Sequence, residues 1–202
     1  QHILVIRFSA MGDVAMTVPV IKNVLAQNHT LRITFVSNAF FKPLFDGIDR
    51  CDFISAELKN THKGISGIYR LYKTIQSNNK ITAIADLHNS LRSRLIRLFY
   101  SFGRVKTAVI DKGRNEKKAL TRKENKIFVQ LTPMYERYAT VFRQLGIRAE
   151  LQQDKATTAK QPVPAALKQL FSGDRKLVGV APFAQHKEKM YPIEKMKVLV
   201  QE

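Results

Sequence analysis

The chain has 202 residues, enough for one large domain or for one domain and part of a second, and 45% of them are hydrophobic, so a buried core can form. Its formal net charge of +18 indicates a polyanionic partner: a nucleic acid, an anionic lipid surface, or a phosphorylated or acidic-sugar substrate. The single cysteine excludes an intramolecular disulfide, and no apolar run approaches the length of about 20 residues that a membrane-spanning helix needs.

Apolar runs typical of strands alternate with amphipathic runs typical of helices along the first 110 residues. Strands are predicted over residues 3–8, 31–37, 51–57, 81–88 and 104–110. Pro19 indicates that the first helical region is kinked there or begins near it. The alternation predicts an α/β fold with a mostly parallel sheet covered on both faces. This layout is Rossmann-like, although no G-x-G-x-x-G fingerprint follows the first strand.

Two of the helical runs carry an apolar stripe, because their apolar side chains recur at helical spacing. The stripe of the first run comprises Ile65, Ile68, Tyr72 and Ile75. The stripe of the second comprises Leu91, Leu95, Leu98 and Phe102, and we expect Arg94 and Arg97 to be displaced from it.

The composition of the sequence changes after residue 111, where the alternating apolar runs give way to a basic, polar segment. Residues 112–126 hold seven basic and two acidic residues, and residues 132–146 predict a helix that ends at Gly146. The polar run 152–164 contains two prolines and indicates an interdomain linker between an N-terminal domain, 1–151, and a second domain beginning at 165. A strand over 176–184 and a helix from about residue 193 cannot enclose a core. We therefore expect residues 165–202 to be the incomplete beginning of that domain, in a fragment of a longer protein.

The first candidate for chemistry is Asp13, in the loop SAMGD after the first strand. Ligands of open α/β sheets bind at the carboxyl ends of the strands, where this loop lies. One interpretation is structural: the carboxylate caps the following helix. The other is chemical: it acts as a general base toward a hydroxyl nucleophile. Gly12 would let a substrate or a second domain approach the backbone closely.

The second candidate is the segment DLHNSLRSR, residues 86–94, at the end of the fourth predicted strand. Asp86, His88 and Asn89 could offer hydrogen bonds to a polyhydroxylated ligand, with Arg92 facing an anionic part of it. The alternative interpretation is an ordinary strand-to-helix turn in which Asn89 or Ser90 caps the helix.

Two groups of basic residues complete the candidates. Lys117, Lys118 and Arg122 could share one helical face suited to phosphate or carboxylate recognition, or they could form an ordinary solvated face. Lys189 follows the first predicted strand of the second domain, where a lysine and a helix N-terminus could hold a diphosphate; the alternative is an exposed lysine without a role. None of the five histidines pairs with another His or Cys at metal-ligand spacing.

Four segments together resemble glycosyltransferase family 9, the heptosyltransferase family of lipopolysaccharide core assembly. ILVIRFSAMGDVAMTVPVI is similar to the family's first strand, S-x-x-G-D loop and Pro-containing helix. DLHNSLRSRLI resembles its D-x-x-x-x-x-R-S segment, and TPMYERYATVFRQLGI resembles its E-R-Y…L-G helix. VGVAPFAQHKEKMYPIEKM resembles the opening strand and K-x-W-P-like loop of its second domain. The four segments occur in the family's order.

The resemblance implies a GT-B architecture, with the acceptor bound by the N-terminal Rossmann-like domain and a nucleotide-sugar donor by the C-terminal one. It implies inverting, metal-independent transfer of a heptose-like sugar, with ADP-heptose as substrate and no resident cofactor. Asp13 matches the general base, and Ser9, Gly12 and Lys189 match the donor side. The acceptor side comprises Asp86, Asn89, Arg92, Lys117, Lys118 and Arg122.

The same resemblance implies an anionic glycolipid acceptor and a cytoplasmic protein in peripheral contact with the inner membrane. Because the chain stops before the family's D-x-G-x-x-H segment, we expect this polypeptide alone not to transfer sugar. Two alternatives stay open: a basic nucleic-acid-binding α/β module, and a non-catalytic transferase-like domain.

Overall fold

The computed structural model describes residues 1–78, 80–103, 105–151, 164–165, 167–168, 178–184 and 187–201. The chain divides into two compact units, Gln1–Gln153 and Asp154–Glu202. Of the predicted linker, 152–164, all but residue 164 lies outside the described residues. The domain boundaries drawn from the sequence therefore stay a prediction.

The first unit contains a five-stranded parallel sheet, as the sequence predicted. Its strands are β1 (His2–Ile6), β2 (Arg32–Ser37), β3 (Cys51–Ser55), β4 (Ala83–Asp86) and β5 (Lys106–Val109). Their order across the sheet is β3-β2-β1-β4-β5, and each neighbouring pair is parallel. The strand order reverses between β1 and β4. Ligands of open α/β sheets bind at such a switch point, outside the carboxyl ends of the strands.

The described residues of this unit form six α-helices. They are α1 (Met11–Ala15), α2 (Thr17–Gln27), α3 (Gly64–Asn78), α4 (Leu91–Tyr100), α5 (Arg114–Thr121) and α6 (Met134–Gln144). Short 3-10 helices span Ala39–Leu44 and Ser101–Gly103. Pro19 lies in the first turn of α2, where its missing N–H has no intrahelical partner to lose, so the helical region restarts there as expected.

The sheet buries both of its faces, because alternate side chains of each strand point to opposite sides. Ile3 and Val5 of β1 belong to a core completed by α2 and α6. Leu4 and Ile6 belong to a second core completed by α3 and α4. The two layers account for the continuous apolar run of β1.

The apolar stripe of α4 lies mostly at the surface, although its residue Leu95 packs against the second core. Leu91, Leu98 and Phe102 are 75%, 56% and 90% exposed, whereas Ser93, Ile96 and Tyr100 form the buried face. The first residue of the α3 stripe, Ile65, is exposed as well, although the rest of that stripe packs inward. Polar contacts of α4, described below, decide its rotation in place of its apolar residues.

In the second unit the described elements include the 3-10 turn Lys187–Lys189 and helix α7 (Ile193–Gln201). Helix α7 begins where the sequence predicted. Residues 178–184, the described part of the predicted strand 176–184, have no regular secondary structure, and none of the described residues pairs with them in a sheet. Among the described residues, no helix is both long and apolar enough to cross a bilayer.

Candidate active site

The loops that follow β1, β4 and β5 meet at the carboxyl edge of the sheet, because these three strands are neighbours. The loop after β1 leads into α1, the loop after β4 leads into α4, and the loop after β5 leads into α5. Asp13 lies in the first turn of α1, and His88 and Lys112 lie in the loops after β4 and β5. The site therefore lies at the switch point that the topology marks for ligands.

Asp13 occupies the third position of α1, and its side chain is 32% exposed. Its Oδ2 accepts a 3.4 Å hydrogen bond from the Ala10 backbone N–H and forms an ion pair with the Arg7 guanidinium. The Ala10 contact is the reciprocal half of a capping box, a geometry in which the third helical residue reaches back to the N-cap N–H. Both interpretations of Asp13 are therefore compatible: the carboxylate caps the helix weakly and still reaches solvent.

Arg7 forms an ion pair with Asp13 from the buried side of the site. It was not among the site residues predicted from the sequence. Its side chain is almost fully buried, and one terminal nitrogen donates a 2.7 Å hydrogen bond to the Leu87 carbonyl. Its guanidinium lies over the Tyr138 ring at 5.9 Å, the arrangement of a cation–π contact. An arginine within an apolar strand is a signal that could have been used, because a buried cation needs a carboxylate partner.

Tyr138 of α6 lies in the core completed by α2 and α6, and it contacts both Asp13 and Arg7. The ring is fully buried, and its hydroxyl donates a 3.2 Å hydrogen bond to the Asp13 carbonyl. Burial raises the pKa of Tyr138 to about 12, so the phenol keeps the proton that it donates. Arg7 and Tyr138 thereby fix both the side chain and the backbone of Asp13.

His88 is neutral at this edge of the sheet. Its Nδ1 accepts a 3.1 Å hydrogen bond from the Phe8 backbone N–H, which requires the proton to sit on Nε2. Burial, followed by the charges of Arg7 and Lys112, lowers its pKa to about 4. The imidazole is thus available near Asp13 as an uncharged hydrogen-bonding group.

The structure gives Asp86 a different task from the ligand contact that was predicted. Its side chain is fully buried, and Oδ1 accepts hydrogen bonds from the backbone N–H groups of His88 (3.0 Å) and Asn89 (2.7 Å). Its Oδ2 forms a 3.0 Å ion pair with Arg97 of α4. Because no part of this carboxylate reaches solvent, Asp86 shapes the loop and anchors α4.

Asn89 and Arg92 remain at the surface of the site. Asn89 is half-buried with a φ of +46°, and its amide lies 3.4 Å from the Ile110 carbonyl. Arg92 is exposed on the first turn of α4, whose N-cap is Ser90. Ser9 and Gly12 are exposed beside Asp13, and a Cβ built on Gly12 would meet no atom within 4 Å. The backbone next to Asp13 is therefore open to a ligand.

An open recess of about 550 Å³ lies beside Asn89 and is lined by residues 109–116. Lys112 and Arg114 contribute cationic groups to it. Burial, followed by the charges of Arg7 and Arg114, lowers the pKa of Lys112, whereas Asp86 and Asp13 raise it. Lys112 therefore interacts electrostatically with the Asp13 carboxylate. Within the basic segment 112–126, Lys112 was not predicted as a site residue from the sequence.

The predicted cationic face of residues 117–122 is only partly formed. Lys117 and Lys118 are exposed on α5, but Arg122 lies beyond the last helical residue with extended backbone angles. Its Nε donates a 2.6 Å hydrogen bond to the Asn125 carbonyl. Arg122 therefore does not share a helical face with the two lysines, because the helix ends before it.

Lys189 belongs to the other unit and is exposed at the end of the turn Lys187–Lys189, just before Tyr191 and Pro192. Within the described ranges, no group of three or more His, Cys, Asp or Glu side chains is arranged to hold a metal ion. The described site presents the Asp13 carboxylate, the neutral His88 imidazole and a recess whose lining holds two cations, Lys112 and Arg114, and two carboxylates, Asp111 and Glu116.

Similar structures were found among solved proteins. The glycosyl transferase family 9 protein from Veillonella parvula DSM 2008 matches with a TM-score of 0.65 and 18% identity, over 98% of this chain and 58% of that chain. E. coli heptosyltransferase WaaC with ADP matches with a TM-score of 0.59 and 15% identity, over 100% of this chain and 64% of that one. WaaC with ADP-2-deoxy-2-fluoro heptose gives 0.61 and 14%, over 100% and 65%. No curated protein matches.

The chain thus spans between 58% and 65% of the length of these structures. At these identities the likeness concerns the fold, and it confirms the predicted α/β fold of GT-B type. The family model described as glycosyltransferase family 9 (heptosyltransferase) matches residues 68–202, so the Asp13 loop lies before the matched segment. Because that segment exceeds half of the chain, the chain belongs to glycosyltransferase family 9.

Proposed function

We propose that this chain carries the acceptor side, and the beginning of the donor side, of an inverting, metal-independent glycosyltransferase. The enzyme moves a heptose-like sugar from a nucleotide-sugar donor, ADP-heptose, to an anionic acceptor of the lipopolysaccharide-core type. The observation that carries the proposal is the Asp13 carboxylate, which Arg7 and Tyr138 hold in place while it keeps access to solvent. The titles of two similar structures, which name ADP and an ADP-heptose analogue, support the class of donor.

In the proposed reaction Asp13 removes the proton of an acceptor hydroxyl. The hydroxyl oxygen forms a bond to the anomeric carbon from the face opposite the nucleotide, and the bond from that carbon to the diphosphate oxygen breaks. The electron pair leaves with the nucleoside diphosphate, whose growing negative charge Lys189 neutralises. Ser9 and Gly12 give the donor its approach to the backbone beside Asp13.

The acceptor is proposed to lie over the recess next to Asn89. Lys112 and Arg114 line this recess or its rim, and Lys117 and Lys118 continue the cationic surface along α5. Ammonium and guanidinium groups at this density suit the phosphates or carboxylates of an acidic sugar. Arg92 adds a cation on the α4 side of the same edge. Because the acceptor is a glycolipid, the protein works in peripheral contact with the cytoplasmic face of the inner membrane.

The test is Asp13→Asn in the full-length protein, with release of nucleoside diphosphate as the measurement. We expect kcat to fall by about 10²- to 10⁴-fold, the usual contribution of a general base, without a matching loss of folded protein. Asp46→Asn is the matched control, because Asp46 is an exposed carboxylate paired only with Lys42. Transfer by Asp13→Asn at the wild-type rate would refute the mechanism, and loss of activity on adding a chelator would refute metal independence.

A further inference from the structure

The exposed side of α4 is an apolar stripe with no cover among the described residues. Leu91, Leu98 and Phe102 lie on it, and each is more than half exposed. On a helical wheel, Leu91 and Leu98 lie opposite the buried residues Ser93 and Tyr100. Such a stripe normally faces a core. On a surface, a contiguous apolar patch indicates an interaction site.

The stripe continues onto the neighbouring helix α3. Ile65 is 68% exposed and Tyr69 is 44% exposed, and the Tyr69 ring packs edge-on against Phe99 of α4 at 5.4 Å. The contact joins the outer faces of the two helices into one surface. We call this surface, formed by the exposed residues of α3, α4 and the 3-10 helix Ser101–Gly103, the α3–α4 face.

The α3–α4 face belongs to a part of the chain that is almost without negative charge. Residues 58–110 contain ten lysines and arginines and one acidic residue. That residue is Asp86, which is fully buried and paired with Arg97. The exposed charged side chains of the described part of this segment are therefore all cationic, and the exposed carboxylate of Glu57, just before it, accepts a hydrogen bond from Thr61.

A cavity of about 950 Å³ opens at one end of the same face. Its lining includes the rings of Tyr72, Phe99 and Phe102, together with Lys73 and Lys80, and none of the described lining residues is acidic. The buried hydroxyl of Tyr100, which also lines the cavity, has no hydrogen-bond partner among the described residues. The recess therefore offers an apolar wall and two cations to an amphiphilic anion.

We propose that the α3–α4 face docks onto an anionic lipid bilayer, with Leu98 and Phe102 inserted among the acyl chains and the surrounding lysines and arginines at the headgroups. Apolar side chains on one side of a helix with basic residues at its flanks are typical of helices that lie in a membrane interface. A nucleic acid would leave the leucines without partners. A second copy of this face would oppose like charges.

This inference extends the proposed membrane contact by naming the surface that makes it. Helix α4 begins directly after Asn89, at the edge of the sheet that carries Asp13. A ten-residue helix is about 15 Å long, so docking along α4 would hold the site close to the headgroup layer. A glycolipid acceptor anchored in the same bilayer would then reach the site without leaving the membrane.

The experiment measures binding of the protein to vesicles by co-sedimentation. One set is phosphatidylcholine alone, and the other contains about 30% phosphatidylglycerol, a content that gives a negative surface potential. The variants are Leu98→Ser and Phe102→Ser, and both residues are exposed, so the fold should persist. Phe40→Ser is the matched control, because Phe40 is 74% exposed on a different element. Phe128→Ser tests the other exposed aromatic beside the basic residues 112–126.

We expect the wild-type protein to bind the anionic vesicles only. Leu98→Ser and Phe102→Ser should each lower the affinity for these vesicles by about tenfold or more, because an inserted apolar side chain contributes strongly to the binding free energy. Phe40→Ser and Phe128→Ser should bind like the wild type. Equal binding of all variants, or a loss confined to Phe128→Ser, would overturn the assignment. So would a dimer that Phe102→Ser dissociates, or RNA that displaces the vesicles from the α3–α4 face. None of these readouts requires sugar transfer, so they stand apart from the test of Asp13.

Discussion

At the scale of single residues, the site is organised by Arg7. Its guanidinium contacts the Asp13 carboxylate, the Leu87 carbonyl and the face of Tyr138, and it thereby ties the loops after β1 and β4 to helix α6. A buried arginine that makes several directed contacts fixes geometry as well as charge. We infer that Arg7 positions the base without touching the substrate.

Replacing Arg7 tests this role. Arg7→Met removes the ion pair and leaves the buried Leu87 carbonyl without its donor, a loss of about 1–3 kcal/mol in the free energy of unfolding. We expect kcat to fall at least tenfold while the KM of the donor stays near the wild-type value. Arg7→Lys should restore part of kcat, because the charge returns. A folded variant in which only the KM of the donor rises, while kcat stays at the wild-type value, would contradict a positioning role.

The neutral state of His88 predicts a dependence of stability on pH. The pKa of His88 is lowered from 6.5 to about 4 in the folded protein, first by burial and then by Arg7 and Lys112. Above pH 6.5 neither state binds the proton. As the pH falls from 6.5 toward 4, the unfolded chain binds it and the folded protein does not, so the free energy of unfolding decreases.

Urea unfolding near pH 7 and near pH 5 measures this effect. His88→Asn should weaken the pH dependence, since an amide oxygen can accept the Phe8 N–H in place of Nδ1 and does not titrate. The exposed His29→Asn is the control and should keep the wild-type dependence. An unchanged slope in His88→Asn would show that another group causes it.

At the scale of elements, polar contacts rather than hydrophobicity decide how α4 rotates. The Ser90 hydroxyl accepts from the Ser93 N–H and so caps the helix, and Arg97 pairs with Asp86 in the core. Ser93, Arg97 and Tyr100 lie on one face because they are four and three residues apart. An unpaired Asp86 carboxylate would be costly in the interior, so the arginine turns inward and the leucines turn outward.

The start of α5 gives a second prediction at this scale. Gly113 has a φ of +59°, and a Cβ there would come closer than 3.0 Å to the guanidinium of Arg137, which is held by Glu116 at 2.5 Å. Gly113→Ala should therefore lower the free energy of unfolding by about 1 kcal/mol or more. Gly12→Ala, at a site with open space, should change it by less than about 0.5 kcal/mol. Equal effects in a denaturation experiment would contradict this argument.

At the scale of the whole molecule, two surfaces of the first unit carry part of the net charge of +18. One is the recess near Asn89 with α5, assigned to the acceptor, and the other is the α3–α4 face, assigned to the membrane. The two surfaces differ in one respect: only the α3–α4 face combines its cations with an exposed apolar stripe. The nucleic-acid-binding alternative is supported by charge and by the exposed rings of Tyr69 and Phe102, but it would leave Leu91 and Leu98 without partners.

This division predicts different effects for different lysines. Lys117→Glu combined with Lys118→Glu should raise the KM of an anionic acceptor at least fivefold, since exposed ion pairs contribute up to about 1 kcal/mol each, and should leave kcat at saturation unchanged. Lys22→Glu, on the exposed side of α2, should have little effect on this KM. Initial rates at varied acceptor concentration measure both. A similar rise for all variants would indicate non-specific attraction.

The sequence by itself determined the class of fold, because alternating apolar strands and amphipathic helices permit few arrangements other than a parallel sheet covered on both faces. It also placed Asp13 at the carboxyl edge, since the order of elements fixes which loops lie there. The helix predicted over residues 132–146 is found as α6, and its residues Tyr138 and Phe142 are buried.

Only the tertiary structure decided which polar groups meet. Arg7 finds Asp13, and Arg97 finds Asp86, through contacts between residues whose partners no local periodicity indicates. Because of these pairings, Asp86 lies in the core instead of at the predicted ligand surface, and the apolar stripe of α4 faces outward. The physical reason is that a buried charge must be paired, since breaking such a pair costs about 3–5 kcal/mol.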